Sequence, residues 1–387
     1  MSQSILDPNF KLGILGGGQL GKMLCEAASP WTLQVWILDK DPGYPAGPLA
    51  TKFVTGDFAN YDDVLAFGRS VDVLTIEIES VNIEALEQLE KEGKPVYPST
   101  AALRIIRDKG IQKEFYRDHH FPTSPFTLYD SPEAIKEAIA AGTRPYPFVQ
   151  KARTGGYDGR GVAVIRSAAD LEKLLPGPAM VEELVDIEME LAVIVANNGQ
   201  GQYRSFATVE MSFHPTANLV EFLLAPARIT PEQYAEAQEI ALALAKKMEV
   251  RGLLAVELFL AKNGEILINE VAPRPHNSGH HTIDSCVCSQ FEQHLRAVLG
   301  LPLGDTSLLS PAVMVNVLGE EGHQGPVLYQ GLEEILAIPG VCPNLYGKKE
   351  TRPFRKMGHV TVVAPTNEAA IERARNVQNT LKVISHV

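Results

Sequence analysis

Residues 252–280 read GLLAVELFLAKNGEILINEVAPRPHNSGH. Gly252–Ala261 has the apolar, β-favouring composition of a strand, and so does Glu265–Val271. Asn263-Gly264 between them signals a two-residue hairpin, because both central positions of that turn need φ > 0. The register this turn imposes sets Glu257 directly opposite Glu270. Like charges facing each other across a sheet repel. A cation removes the penalty, and paired carboxylates are a common way to hold Mg²⁺ against substrate phosphates. The alternative is that both side chains merely face solvent. The next nine residues weigh against that: Ala272–His280 packs cations and hydrogen-bonding groups directly after the acids, and its two prolines fix where Arg274 and His276 point.

The rest of the chain is consistent with a soluble globular protein. Its 387 residues make room for two or three domains. A net charge of −12 argues against a nucleic-acid scaffold, which is usually basic. Cys25, Cys286, Cys288 and Cys342 have neither zinc nor redox spacing and read as reduced thiols of a cytoplasmic protein. No apolar run of about 18 residues and no charged-then-apolar leader is present, so neither a membrane span nor a signal peptide is expected.

Strand and helix patterns alternate at the start. Lys11–Leu15, Leu33–Leu38, Val71–Ile78 and Pro95–Tyr97 read as strands, Gln19–Ala28 and Ile83–Glu92 as helices, which implies a parallel sheet. Ala101–Phe115 reads as one helical stretch. Strands come next at Pro147–Ala152, Val162–Ile165 and Ala179–Leu184, with a helical turn at Asp170–Leu174. Several antiparallel strands are expected between Glu188 and Leu224, then a helix over Pro231–Met248 with proline at its start. Beyond the hairpin, Phe291–Leu299 reads as a helix and a smaller mixed segment begins near Pro311.

Four further motifs carry chemistry. Gly16-Gly17-Gly18-Gln19-Leu20-Gly21 follows a strand and opens a helix, and Asp39 ends the next strand about 20 residues on, as in a dinucleotide fingerprint. A helix N-terminus binds any anion, however, and tight turns use glycine for steric reasons alone. Lys151–Gly161, KARTGGYDGRG, is a glycine-dense loop whose amides can approach phosphates, although it lacks the G-K-[ST] of a P-loop; the alternative is a flexible surface hairpin. Glu182-Glu183-Leu184-Val185, with Glu190 beyond, can offer backbone groups to an adenine edge and a carboxylate to ribose, or be a solvated acidic face. Lys348–Lys356 holds five cations in nine residues of an acidic chain, either a solvated basic face or an anion site.

Taken in order, GGGQLG, KARTGGYDGRG, NEVAPRPHNSGH and RPFRKMGH resemble the ATP-grasp superfamily and, within it, the N5-carboxyaminoimidazole ribonucleotide synthetases of purine biosynthesis. The resemblance spans almost the whole chain. It implies an α/β and α+β architecture: a Rossmann-like parallel-sheet domain over 1–108, an ATP-grasp lid subdomain over 109–187, a catalytic subdomain over 188–305, and a small C-terminal domain over 306–387. The reaction it implies joins bicarbonate to aminoimidazole ribonucleotide at the expense of ATP, through carboxyphosphate. Phosphoryl transfer of this kind depends on positioning and charge neutralisation, and a closing lid keeps the intermediate from water.

By the same resemblance, Lys109 and Lys151 contact phosphates, and Gly155, Gly156, Gly159 and Gly161 form the lid. Glu182, Glu183, Leu184 and Val185 form the adenine hinge, Glu190 accepts from ribose, His214 lies near the nucleotide, and Asn269 lies beside the phosphates. Glu257 and Glu270 are the Mg²⁺ ligands. Arg274, His276 and Asn277 match the bicarbonate and carboxyphosphate site. Lys356 joins them as a catalytic group and stands with Lys349, Arg352 and Arg355 to grip the ribonucleotide phosphate. Tyr157, Asp158 and Arg160 approach aminoimidazole ribonucleotide from the lid, Gln19 and Glu77 from the N-terminal domain. A homodimer that passes its product to a separate mutase, with no nucleic-acid or membrane partner, completes the expectation. A formate-dependent transformylase and a nucleotide-binding regulator without chemistry are the rivals.

Overall fold

The computed structural model describes residues 7–156, 161–213 and 220–386. Lys11–Leu15 is the central strand of a five-stranded parallel sheet, flanked by Gln34–Asp39 and Lys52–Thr55 on one side and Val73–Ile76 and Val96–Tyr97 on the other. Near-continuous apolar strands need cover on both faces. One face packs on Gln19–Ala28 and on the distant helix Gln290–Val298, through Met23, Leu24, Phe291 and Leu295. The other packs on Tyr61–Arg69 and Ile83–Lys91.

The expected helix over 101–115 is two helices, Thr100–Arg107 and Lys109–Asp118. Asp108 leaves the helical region (φ −109°, ψ 109°), and its Oδ1 accepts from the Gly110 and Ile111 amides at 2.8 and 3.1 Å. Its gain as an N-cap outweighs the continuous helical pattern. Lys109 therefore begins a helix. Arg153, at the mouth of the glycine loop, pairs with the same carboxylate at 2.8 Å, and its carbonyl accepts from the Lys109 amide.

A four-stranded antiparallel sheet comes next, ordered Phe126–Tyr129, Ala179–Glu183, Phe148–Ala152, Val162–Ile165, around a small core of Phe148, Ile165 and Val181. The largest sheet has nine strands. The hairpin strands Ile266–Ala272 and Gly252–Ala261 lie at one edge, then Ile187–Asn197, Val209–Phe213, Val220–Ala225, Ala312–Leu318, Lys356–Val363 and Val341–Leu345, with the short ninth strand Tyr203–Ser205 paired to Ile187–Asn197. It runs unbroken into the C-terminal segment, because Val220–Ala225 pairs antiparallel with Ala312–Leu318. Pro231–Met248 is capped by a reciprocal Thr230–Gln233 pair and lays Ala237, Ala241 and Leu244 on Leu191, Val193, Leu254 and Val256. Each fully buried leucine or valine contributes roughly 1.5–3 kcal/mol. That core sets the hairpin's position.

The hairpin corrects one expectation. Asn263-Gly264 is not a two-residue turn: the Gly264 amide donates to the Ala261 carbonyl at 2.8 Å, and of the two only Gly264 has positive φ, +90°. Lys262–Gly264 is a three-residue loop of type I geometry ending in a glycine bulge. Near the turn Leu260 faces Ile266 and Leu258 faces Ile268, one residue short of the expected register. The register then shifts between Glu257 and Leu258, leaving Asn269 as the extra residue, and Glu257 faces Glu270 after all. No helix of the described residues is long and apolar enough to cross a membrane.

Candidate active site

The hairpin, the strand Ala179–Glu183 and the helix Lys109–Asp118 converge. Glu257 and Glu270 are opposed on adjacent strands and so project to one face. Burial, the Glu270 charge and Glu190 push the Glu257 carboxyl well above the usual carboxylate range. Burial would raise Glu270 too, but the Lys109 and Lys151 ammoniums hold it below its ordinary value. Lys109 forms a direct ion pair with Glu270. His276 Nε2 stands 3.4 Å from Glu257 Oε1. A pair of facing carboxylates, one driven toward its neutral form by burial and by the other's charge, is a site short of positive charge.

Among the described residues no group of three or more His, Cys, Asp or Glu is gathered closely enough to hold a metal unaided. Two carboxylates suit a hard divalent ion that takes its remaining oxygens from phosphates and water. The donor set therefore fits Mg²⁺ arriving with a nucleotide.

Asn269, the bulged residue, accepts from Lys151 Nζ at 2.8 Å. The same ammonium lies 2.6 Å from Glu182 Oε2, and Lys113 Nζ lies 2.5 Å from Glu182 Oε1. Burial would raise the Glu182 carboxyl, but Lys151 and Lys113 hold it down to about 2. Glu183 donates its amide to the Pro125 carbonyl at 3.0 Å. Leu184 is 38% exposed, and among the described residues the backbone of Leu184 and Val185 has no hydrogen-bond partner. Glu190 is on Ile187–Asn197 beside Phe259, its carboxyl raised to about 7 chiefly by burial.

Downstream of the acids, Arg274 pairs with Glu79 at 2.8 Å and donates to the Pro275 carbonyl. The His276 amide donates to Gln290 Oε1, and the Gln290 side-chain amide donates back to the His276 carbonyl at 2.7 Å. Asn277 and Asn316 exchange two hydrogen bonds of 2.9 and 3.0 Å, and Asn316 also donates to the Val220 carbonyl. Lys356 belongs to the same neighbourhood: its charge, with those of His359 and His276, adds to burial in suppressing protonation of His280. Arg355 donates to the Glu350 carbonyl, while Lys349 and Arg352 are exposed.

The glycine turn is filled from within. Gly17 donates to Asp39 at 2.7 Å, and Gly18 and Gly21 donate to the two oxygens of Glu77 at 2.6 and 2.7 Å. A Cβ on Gly16, whose φ is +106°, would lie 2.4 Å from the Glu77 side chain. A dinucleotide pyrophosphate would have to displace both carboxylates, so the fingerprint is a structural turn here. Gln19 begins the helix beside it, half-buried.

The sequence matches three family models in order: a ribonucleotide synthetase pre-ATP-grasp domain over 10–107, an ATP-grasp domain over 114–291, and a phosphoribosylaminoimidazole carboxylase C-terminal domain over 312–373. N5-carboxyaminoimidazole ribonucleotide synthase of Bacillus subtilis is 35% identical over 380 residues, covering 97% of this chain and 97% of that protein. The chain belongs to the N5-carboxyaminoimidazole ribonucleotide synthase family of ATP-grasp ligases. The Thermotoga maritima synthetase superposes with a TM-score of 0.90 at 44% identity, over 97% of this chain and 100% of that one. The Aspergillus clavatus synthase, solved with ADP and 5-aminoimidazole ribonucleotide, superposes at 0.87 with 34% identity over 96% and 99%. The chloroplastic phosphoribosylaminoimidazole carboxylase of Vigna aconitifolia is 41% identical, and the chain spans 64% of its length.

The expected fold, an α/β and α+β ATP-grasp architecture with a parallel N-terminal sheet and a C-terminal domain, is the one present. The structure gathers Lys109, Lys151, Glu182, Asn269, Glu257, Glu270 and His276 in one contact network. Gly155 and Gly161 both have positive φ at the loop's two ends, +77° and +78°, with Gly156 between them and the described limit. Tyr157, Asp158, Gly159, Arg160 and His214 lie outside the described residues. Sequence reasoning misses Glu79, Lys113, Ser124, Gln290 and Asn316. Lys113 has a signal, since it lies one helical turn beyond Lys109. Glu79 also has one, two residues past Glu77 at a strand end. Gln290 and Asn316 have none.

Proposed function

We propose that the chain uses ATP and bicarbonate to carboxylate the 5-amino group of aminoimidazole ribonucleotide, forming the N5-carbamate. The opposed Glu257 and Glu270, followed at once by Arg274 and His276, carry this reading: a divalent-ion clamp sits directly beside an anion site. Adenine docks on the backbone of Glu183–Val185, ribose on Glu190, and the phosphates on Lys109, Lys151 and Asn269. Mg²⁺ held by Glu257 and Glu270 supplies charge neutralisation for the phosphates. Arg274 presents a planar fork to bicarbonate and carboxyphosphate, with its orientation fixed by Glu79. His276 and Asn277 are locked by Gln290 and Asn316, so the anion meets preset donors rather than mobile ones. Lys349, Arg352, Arg355 and Lys356 supply the grip on the ribonucleotide phosphate.

The reaction is tested by ADP release with each substrate omitted in turn. Turnover should need aminoimidazole ribonucleotide and bicarbonate together. Nucleotide turnover that continues with formate in place of bicarbonate would instead assign the transformylase chemistry.

A further inference from the structure

Lys113 is a buried ammonium that the proposed chemistry does not use. Its side chain is 1% exposed. Nζ reaches Glu182 Oε1 at 2.5 Å, Ser124 Oγ and the Ile268 carbonyl at 3.3 Å each, and Thr123 Oγ1. These acceptors come from the strand Ala179–Glu183, the segment before the four-stranded sheet, and the hairpin strand carrying Glu270. An ammonium has three donors, so Lys113 is fully satisfied.

Glu182 divides its oxygens. Oε1 serves Lys113 and the Ser124 hydroxyl at 2.7 Å; Oε2 serves Lys151. Lys151 spends one donor on Glu182 and one on Asn269, lies over the Phe259 ring 6.0 Å from its centroid, and among the described residues has no third hydrogen-bond acceptor. Two ammoniums share one carboxylate, so the cluster carries one excess positive charge in a place where water screens little. Burial depresses Lys113 to about 8, whereas Lys151 is held above its ordinary value. Lys151 is thus the firmly charged member.

We propose that Lys113 is a positioning residue for Lys151: by occupying one oxygen of Glu182 it limits that carboxylate's hold on Lys151 and leaves the cluster net positive, so that a nucleotide phosphate completes it. Without Lys113, Glu182 would neutralise Lys151 by itself. The inference rests on the proposed nucleotide site, and the test separates the two.

The experiment measures Mg²⁺-ADP and Mg²⁺-ATP dissociation constants by calorimetry for the full chain, Lys113→Met, and the double variant Lys113→Met with Glu182→Gln. The charge count runs from plus one, to zero, and back to plus one. Lys113→Met should weaken nucleotide binding on the order of tenfold, the scale of one unit charge about 12 Å from the phosphate at an effective dielectric of about 20. The double variant should regain most of that loss, which a merely structural role would not produce. Steady-state KM for ATP should follow the same order while KM for aminoimidazole ribonucleotide stays put. Unchanged affinity in Lys113→Met overturns the inference, as does a double variant weaker than the single. A Lys113→Met chain that cannot fold, with the double variant equally unfolded, assigns Lys113 to folding and overturns it too. A wild-type chain that binds neither nucleotide removes the functional reading itself.

Discussion

Replacing Glu270 with glutamine keeps the side-chain shape and removes one charge from the hairpin. Two effects on the nucleotide-free protein oppose each other. The ion pair with Lys109 is lost, but those side chains are 18% and 39% exposed, so the pair contributes at most about 1 kcal/mol. Repulsion with Glu257 is also lost. Directly opposed residues stand about 5 Å apart, and two full charges there repel by roughly 3 kcal/mol at an effective dielectric of 20. Glu257 already sheds much of that by taking up a proton, as its raised carboxyl shows. The net change should therefore lie within about 1 kcal/mol, and the melting temperature within about 1 °C. Ligand linkage behaves differently. Mg²⁺-ADP at about a hundred times its dissociation constant stabilises the wild type by roughly 2.7 kcal/mol, about 3 °C for a chain of this length. The metal-dependent part of that rise should vanish in Glu270→Gln, and turnover should fall at least about a thousandfold, equal to roughly 4 kcal/mol of barrier. Thermal shift with ADP, with and without Mg²⁺, reads the first, and ADP release reads the second. Glu265→Gln, on the exposed turn of the same hairpin, is the control and should move neither. A Glu270→Gln protein that keeps its metal-dependent stabilisation and its turnover would refute the clamp.

Arg274→Ala should cut turnover by about a hundredfold or more while ADP affinity stays within about threefold; loss of ADP affinity alone would move the anion site elsewhere. Asn316→Ala strips Asn277 and the Val220 carbonyl of partners, so it should destabilise the fold by about 1–3 kcal/mol and raise KM for bicarbonate more than KM for ATP, as steady-state kinetics would show. Glu190 has its carboxyl raised from 4.5 to about 7, so the folded protein holds a proton that the unfolded chain has released. Stability without nucleotide should accordingly fall as pH rises from about 4.5 to about 7, and Glu190→Gln should remove that part of the fall. Melting curves of the two proteins that run parallel across this window would contradict the burial of Glu190.

The elements most legible in the sequence are those with local punctuation. Pro231–Met248 is bounded correctly because Pro231 stands at its first position and its alanine-rich spacing ends at Met248. Lys11–Leu15 and Gln19–Ala28 are likewise marked by an apolar run, a glycine turn and a helical period. The break at Asp108 escapes notice because the apolar spacing continues through it, and only its capping bonds reveal it. The hairpin is instructive in another way. Asn-Gly reads as the turn that needs two left-handed residues, yet the chain uses three and places only glycine there. The compensating bulge at Asn269 cannot be read from composition, since it exists to meet Lys151 from another sheet. Gln290 and Asn316 lie in other elements than the residues they hold, so nothing in the sequence around those residues announces the contact.

The charges around the hairpin fall into two incomplete sets. On one side, Glu257 and Glu270 with Lys109 lack positive charge: burial and then the Glu270 charge drive the Glu257 carboxyl up, while Lys109 and Lys151 hold Glu270 down. On the other, Lys113 and Lys151 with Glu182 carry an excess of it. The sets are joined by consecutive residues, since Asn269 binds Lys151 and Glu270 binds Lys109. A bare divalent ion would complete the first and leave the second unbalanced; a bare phosphate would do the reverse. A metal–polyphosphate completes both at once. Tethering Arg153 to Asp108, at the start of the helix that presents Lys109, couples the mouth of the glycine loop to the same junction. On the proposed nucleotide site, charge complementarity for the loaded nucleotide, rather than for either of its parts, follows from the bulge at Asn269 and the helix break at Asp108.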